Sequence, residues 1–433
     1  MKAVKYLLIF LVFALFGFQG VQRSFKVIPQ GNLIGVWDTT KCPVLTRDSY
    51  NKSEFQPSFE KFIEEKMGFR TTLIQLRNQF DYSVFNYTDV PLIVIGKKGM
   101  LFLSTYIRNF EGILFRGAPQ ISNNVRRLKM IQDELKKHNV DFLLIFAPGK
   151  ATFYSELIPD YYKKRPATSY QYYTKALAGS GIHFIDMNAW FLKLKGKTKY
   201  PVYPLNGAHW NSYGIWLGAD SMFRYIEKLR NIDLPEVWCD QVRVSDTMKY
   251  KDNDIGEMMN LWRPLKHDPM PYFHFSYNKV GKTRPKVISI GDSYWLGFTE
   301  SGITENVFSC DNFWNYFRLV MVNNIKTGYI KDVDIKKELY SQDLVILIAT
   351  ESNYQVFPFG FIDGFFEKCL PDSPETPKII LERYINNIRE DPKWYDFVIE
   401  KAKDNGISTD EQLKRDAQYT LDQDIQNHNY HGL

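Results

Sequence analysis

Cysteine is scarce in this chain. Four occur among 433 residues, Cys42, Cys239, Cys310 and Cys369, and no two form a CxxC pair. That spacing excludes a zinc knuckle and a thioredoxin-type site. An even count permits disulfides in an exported protein without requiring them. Histidine is scarce too: seven residues lie far apart, with no HExxH helix, so neither a dedicated metal site nor a cofactor is expected. An excess of one charge is also missing. A net charge of +6 over this length does not mark a nucleic-acid binder. The tightest basic run, Lys163-Lys164-Arg165, reads as a solvated turn before Pro166. Internal repeats and low-complexity segments are absent. Past residue 18 no apolar run has the ~20 residues a membrane span needs.

What is present suffices for a large core. The hydrophobic fraction is 44%, which excludes global disorder, and the length suits one large α/β domain with additions, or two domains. Aromatics reach 16%, with 27 Tyr and 32 Phe. They fill a core first; a second use is a surface that stacks on sugar rings. At the start, Lys2 and Lys5 precede the apolar run 6–18, the charged and hydrophobic regions of an export signal. No small-residue cleavage site follows in Gln19-Gly20-Val21-Gln22-Arg23. The expectation is an uncleaved signal-anchor, with a cleaved signal peptide as the alternative, and the rest of the chain outside the cytoplasm. Two glycosylation sequons begin at Asn51 and Asn86.

Residues 55–80 read as one helix, with Phe59, Phe62, Ile63 and Met67 at helical spacing. The pieces 92–95 and 101–103, parted by Gly96 and Gly99, read as a hairpin. From Ser122, a candidate N-cap, the pattern alternates helix and strand. Val125, Leu128, Ile131 and Leu135 share a helical face, and 142–146 is a continuous apolar run. A helix at 170–177, a strand at 183–185, a helix at 211–229 and strands at 287–290 and 344–349 follow. Such alternation predicts an α/β fold with a parallel sheet flanked by helices. Residues 235–277 read as an irregular, aromatic-rich insertion bordering the site. From 374 the chain reads as a charged helical extension, with Trp394, Phe397, Val398 and Ala402 on one face. The expected division is a signal-anchor at 1–25, the main domain at 26–373 and the helical extension at 374–433.

Two local signals carry chemistry. In Lys286-Val-Ile-Ser-Ile-Gly291-Asp292-Ser293-Tyr294 a buried strand ends in Gly-Asp-Ser. Ligands bind at the carboxyl ends of strands in open parallel sheets. A serine placed there, after a glycine that permits a sharp turn, stands where backbone N–H groups can receive an oxyanion. The bland alternative is that Asp292 or Ser293 only caps a helix. In Asn206-Gly207-Ala208-His209-Trp210-Asn211 a histidine precedes a strong helix and offers a base of suitable pKa. A lone surface or capping histidine is the commoner fate; the two signals gain weight together.

Together they resemble the alginate O-acetyltransferases of the AlgX/AlgJ type, SGNH-hydrolase-like proteins in which the His motif precedes the Ser motif. Three further stretches are similar to that family: Phe69-Arg70 at a helix end, Val94-Ile95-Gly96-Lys97-Lys98-Gly99-Met100-Leu101-Phe102, and Phe146-Ala-Pro148-Gly-Lys150-Ala-Thr-Phe-Tyr154 with Pro159 beyond. The resemblance runs loosely over residues 55–353. It implies an SGNH-like domain facing the periplasm or cell exterior and anchored to the inner membrane by the N-terminus. It also implies acetyl transfer to hydroxyls of an exported or surface polysaccharide, and a membrane-bound O-acyltransferase as acetyl donor. Ser293 would form the acyl-enzyme and His209 would shuttle the proton. Gly291 and Asp292 would shape the turn, with Tyr294 and Asn353 as side-chain candidates for the oxyanion hole.

One position departs from the pattern. The family has Asp-x-His-Trp, and here Gly207 stands where the aspartate would orient the histidine. Three readings stay open. Another carboxylate supplies the role, with Asp186 and Glu351 near predicted strand ends; a Ser-His dyad suffices; or the site only binds. The rival functions are a carbohydrate O-acetylesterase with the same residues, and a non-catalytic polysaccharide-binding or assembly protein.

Overall fold

The computed structural model describes residues 2–35, 40–249 and 251–427. Its strands are β1 (Ile93–Ile95), β2 (Leu101–Leu103), β3 (Asp141–Phe146), β4 (Phe184–Asp186), β5 (Glu236–Ser245), β6 (Met270–Asn278), β7 (Val287–Gly291), β8 (Asp311–Asn315), β9 (Leu319–Val322), β10 (Ile325–Tyr329) and β11 (Leu344–Ala349). The most apolar runs, β3, β7 and β11, pair side by side as parallel strands at the centre of a seven-stranded sheet of order β10-β9-β8-β7-β11-β3-β4. Both faces of these strands are covered, which is why they read as continuous apolar runs rather than alternating ones. Leu143, Ile145, Ile346 and Ile348 join one core; Phe142, Leu144, Phe146, Val345 and Leu347 join the other. The sheet is mixed rather than all parallel: β8 is parallel to β7, and β9 and β10 close the edge as antiparallel strands.

Several sequence expectations are corrected. Residues 55–80 hold two helices, Phe55–Glu65 and Arg70–Phe85, broken at Gly68. A Cβ at Gly68 would strike the backbone of the N-terminal helix at Gln19, so Phe69-Arg70 opens a helix instead of ending one. The helix expected at Ser122 starts at Ala118, with Pro119 in its first turn, where a missing N–H loses nothing. The segment 235–277 is not irregular. β5 and β6 form an antiparallel ribbon, bulged between Cys239 and Gln241, around the short helix Asp254–Met258. The four cysteines are free thiols.

Beyond β11 come helices Phe361–Cys369, Thr376–Glu390, Pro392–Asp404 and Thr409–Gln426. The last three share a small core of Ile388, Val398, Leu413 and Ala417, while Phe397, expected on the packed face, is exposed. Residues 428–433 lie outside the described residues. The N-terminus forms the helix Lys2–Phe25, whose end docks through Gln19 Oε1 onto the Phe69 N–H at 2.8 Å and Phe18 onto the Phe69 ring. Among the described residues no helix is long and apolar enough to cross a membrane, so the expected span gains no structural support. The side chains at 8, 11, 12, 15 and 16 in that run lie outside the described residues.

Candidate active site

β7 ends at Gly291, and the chain turns through Asp292 and Ser293 into the helix Trp295–Glu300. Gly291 is required by close approach: a Cβ there would strike the Ile348 carbonyl of β11, with Ile348 Cγ2 at 2.5 Å. Asp292 is fully buried and satisfied four times over. Its Oδ1 accepts the Tyr294 N–H at 3.1 Å; its Oδ2 accepts the Thr350 N–H at 2.7 Å, the Thr350 hydroxyl at 2.8 Å and the Asn353 amide at 2.8 Å. Asp292 therefore ties the end of β7 to the end of β11 and fixes the turn that presents Ser293, a role local to the fold.

Ser293 Oγ lies 2.8 Å from His209 Nε2, so residues 84 apart in sequence meet at hydrogen-bond distance. His209 Nδ1 lies 2.8 Å from Asp254 Oδ2. The other oxygen of Asp254 accepts the Ala208 N–H at 2.7 Å and the Ile255 N–H at 2.8 Å, so the carboxylate grips the histidine loop by backbone and side chain together. The imidazole is 16% exposed and the Asp254 side chain 29%, open enough for a ligand yet shielded on one side. Serine, histidine and carboxylate thus stand in line, the geometry in which the acid holds the imidazole tautomer and the imidazole takes the serine proton.

Asp254 occupies the position behind His209 where sequence reasoning looked for a carboxylate, and neither earlier candidate does. Asp186 caps the helix Met187–Leu194 through the Ala189 N–H at 2.9 Å and accepts the Tyr170 hydroxyl at 2.8 Å. Glu351 is buried against the Thr152 hydroxyl and N–H, and burial pushes its carboxyl up to about 7. The sequence offered no periodic signal for Asp254, which sits on a five-residue helix inside the segment read as irregular. Gly207 cannot host the family's aspartate in this geometry: a Cβ there would strike the Lys251 carbonyl and come within 2.7 Å of Pro204 Cγ and 2.8 Å of the Asp252 carbonyl. The acid thus arrives from the segment that presses on Gly207.

The histidine loop is also held from below. Lys150, from the stretch after β3, is fully buried, and its Nζ donates to the carbonyls of Pro204 (2.8 Å), Leu205 (3.1 Å) and Gly207 (2.6 Å). Three acceptors around one nitrogen call for three N–H donors, that is, the ammonium form. Burial opposes that form and draws the pKa down to about 7, and the charge of Asp254 acts the other way. On the far side of the loop, Asn211 caps the helix Ser212–Arg230 through the N–H groups of Tyr213 and Gly214.

The oxyanion side differs from expectation. Helix N–H groups after Ser293 are already used: Tyr294 donates to Asp292 Oδ1, Trp295 to the Asp292 carbonyl and Leu296 to the Ser293 carbonyl. Tyr294 is buried, its hydroxyl donating to the Ala208 carbonyl at 3.0 Å and accepting from Tyr106 at 2.8 Å, so it braces the histidine loop and does not face a substrate. Asn353 spends one amide hydrogen on Asp292. The Tyr316 hydroxyl, unmarked in the sequence, stands near Ser293 and Asn353, and burial raises its pKa. Tyr316 and Phe317 both adopt left-handed φ, +50° and +51°, sparsely populated for aromatic residues and a form of strain that concentrates at functional sites. Among the described residues no group of His, Cys, Asp and Glu is arranged to hold a metal.

Residues 93–262 match the model of the SGNH hydrolase-like domain of acetyltransferase AlgX. That stretch contains His209 and Asp254; Ser293 lies beyond it. Among solved structures, the chain is similar to the O-acetyltransferase domain of Pseudomonas putida AlgJ, with 16% identity over 61% of this chain and 92% of that one and a TM-score of 0.42. It is similar to Pseudomonas aeruginosa AlgX, with 13% identity over 63% of this chain and 67% of that one, TM-score 0.39. It is also similar to Bacillus cereus PatB1, with 12% identity over 60% and 96%, TM-score 0.39. Comparison with curated proteins gives no match.

Proposed function

Since residues 93–262 carry an SGNH hydrolase-like domain of the AlgX acetyltransferase type, we propose that this chain transfers an acetyl group to hydroxyls of an exported or cell-surface polysaccharide through a Ser293 acyl-enzyme. The observation that carries the reading is the 2.8 Å, 2.8 Å relay from Ser293 through His209 to Asp254. Ser293 Oγ attacks the acyl carbonyl as its proton passes to His209 Nε2, and Asp254 stabilises the imidazolium that forms. The Ser293 N–H and the Tyr316 hydroxyl beside it supply the donors for the oxyanion. The donor's leaving group takes the proton from His209. The acceptor hydroxyl then enters, gives its proton to His209 and attacks the acyl carbon, and Ser293 leaves as the free hydroxyl. Water in place of the sugar hydroxyl would make the same site an esterase.

Export and attachment to the inner membrane belong to this proposal. They rest on Lys2 and Lys5 before the apolar run 6–18 in the helix Lys2–Phe25. A membrane-bound acyltransferase that supplies the acetyl group is the partner the family analogy implies. Two measurements test the function. Turnover of p-nitrophenyl acetate should vanish in Ser293→Ala, and an added oligosaccharide should gain acetyl groups faster than free acetate appears. Hydrolysis unaffected by any acceptor would make the protein an esterase; absence of turnover in the folded wild type would leave a binding protein. Fractionation should recover the full-length chain with membranes, and a soluble species beginning near Arg23 would contradict the anchor while leaving export intact.

A further inference from the structure

Beside His209 opens a small cleft with a cavity volume of about 60 Å³. Its walls include the start of the helix Ser212–Arg230, the segment before Asp254, and the helix Trp295–Glu300 with Ser301 after it. Phe273 of β6 gives it an aromatic wall, backed by Tyr213 at 5.4 Å in a stacked pair and by Tyr200 edge-on at 6.0 Å. Trp210 and Gly297 also line it; the buried indole N–H of Trp210 lies against Gly297 and has no acceptor among the described residues.

The charges of the cleft are the informative part. Among its described lining residues Lys251 is the one Lys or Arg side chain, and it faces the Glu300 carboxylate at 3.6 Å. Asp252 adds a second carboxyl, buried and bonded to the Tyr272 hydroxyl at 2.8 Å. One cation against two carboxyl groups leaves no surplus positive charge for an anionic ligand. The pair Lys251–Glu300, with the hydroxyls of Ser212 and Ser301, instead offers donors and acceptors of the kind that bind sugar hydroxyls, beside a flat aromatic face for the sugar ring. A ligand carboxylate placed here would meet Glu300, and like charges brought together across an interface discriminate strongly against the wrong partner.

We propose that this cleft is the acceptor subsite of the enzyme and that it is built for an uncharged glycosyl unit, discriminating against uronate polymers. The inference rests on the acetyl-transfer reading, because His209 lines the cleft and is the base that must receive the acceptor's proton. It departs from what the family resemblance alone suggests, since alginate is a polyuronate.

The test separates the two ideas by measuring binding without chemistry. Full-length Ser293→Ala protein is titrated calorimetrically with cellohexaose and with hexagalacturonate. The neutral hexamer should bind at least about tenfold more tightly. Adding Phe273→Ala should weaken it by about tenfold, and adding Glu300→Lys should shift the preference toward the galacturonate by at least about tenfold. Glu300→Gln should move the preference in the same direction by less, and it carries the test if the lysine variant does not fold. Equal or tighter binding of the galacturonate, binding of neither hexamer, or binding indifferent to Phe273 and Glu300 overturns the inference. Selective neutral binding in a protein whose wild type forms no acyl-enzyme would instead sink the proposed function and leave the subsite standing.

Discussion

The Gly207→Asp substitution is the sharpest point at which sequence and structure disagree. By family pattern the change should restore an orienting carboxylate and raise the rate. By geometry it should do the reverse. Gly207 has no left-handed φ, so the obstacle is space and not backbone strain. The new Cβ would strike the Lys251 carbonyl, with the Asp252 carbonyl at 2.8 Å and Pro204 Cγ at 2.7 Å. Overpacking of this kind typically costs about 1–3 kcal/mol. The added carboxylate would also face backbone carbonyls, which offer it no donor. The segment it displaces leads within two residues to Asp254, which holds both Ala208 and His209. A displacement of about 1 Å in a catalytic group can lower the rate about 10²-fold, and complete loss of the orienting acid about 10⁴-fold. The expected outcome is therefore a fall of about 10²- to 10⁴-fold in the burst of p-nitrophenol from p-nitrophenyl acetate, with circular dichroism unchanged. Asp254→Asn should fall by about 10⁴ in the same assay. A Gly207→Asp protein as fast as wild type, or faster, would refute the assignment of Asp254 and the close packing behind it.

Three further outcomes follow from the same contacts. Lys150→Met should leave three loop carbonyls without their donor, lowering stability by about 3 kcal/mol or more in chemical denaturation; it should also slow acylation of the protein that remains folded, more than Lys150→Arg does. Glu351 has a folded pKa near 7, above the usual 4.5. Its folded state therefore binds a proton that the unfolded state has released, and stability from this group falls as pH rises from about 4.5 to 7, then stays flat. Glu351→Gln should accordingly gain Tm relative to wild type between pH 5 and pH 8; a constant difference across that range would contradict the shift. Tyr316→Phe should lower the acylation rate by about 10- to 10³-fold with little change in Tm, as loss of one oxyanion donor does; an unchanged rate would remove it from the site.

The parts of the fold visible in the sequence are those that solve a local problem. β3, β7 and β11 are buried on both faces and are correspondingly rich in consecutive apolar residues, so they stand out. Gly291 and Ser293 were visible because a strand must end sharply there, and His209 because Asn211 marks a helix start two residues on. What the sequence hid depends on long-range contacts. Asp254 reaches His209 across 45 residues from a helix too short to show a period. The ribbon of β5 and β6 is bulged at Cys239–Gln241, which breaks the alternation that would have announced it. Tyr316 enters through a turn of left-handed residues that propensity disfavours. The helix break at Gly68 was hidden because its cause is the N-terminal helix packed against it.

The central claim is that Ser293 is a nucleophile activated by His209. Mass spectrometry of the intact protein after exposure to a serine-reactive phosphonate tests it most directly. The account predicts a single adduct on the peptide containing Ser293, none in Ser293→Ala, and formation slowed by several orders of magnitude in His209→Ala. Equal labelling of all three folded proteins, or an unlabelled wild type, would contradict it.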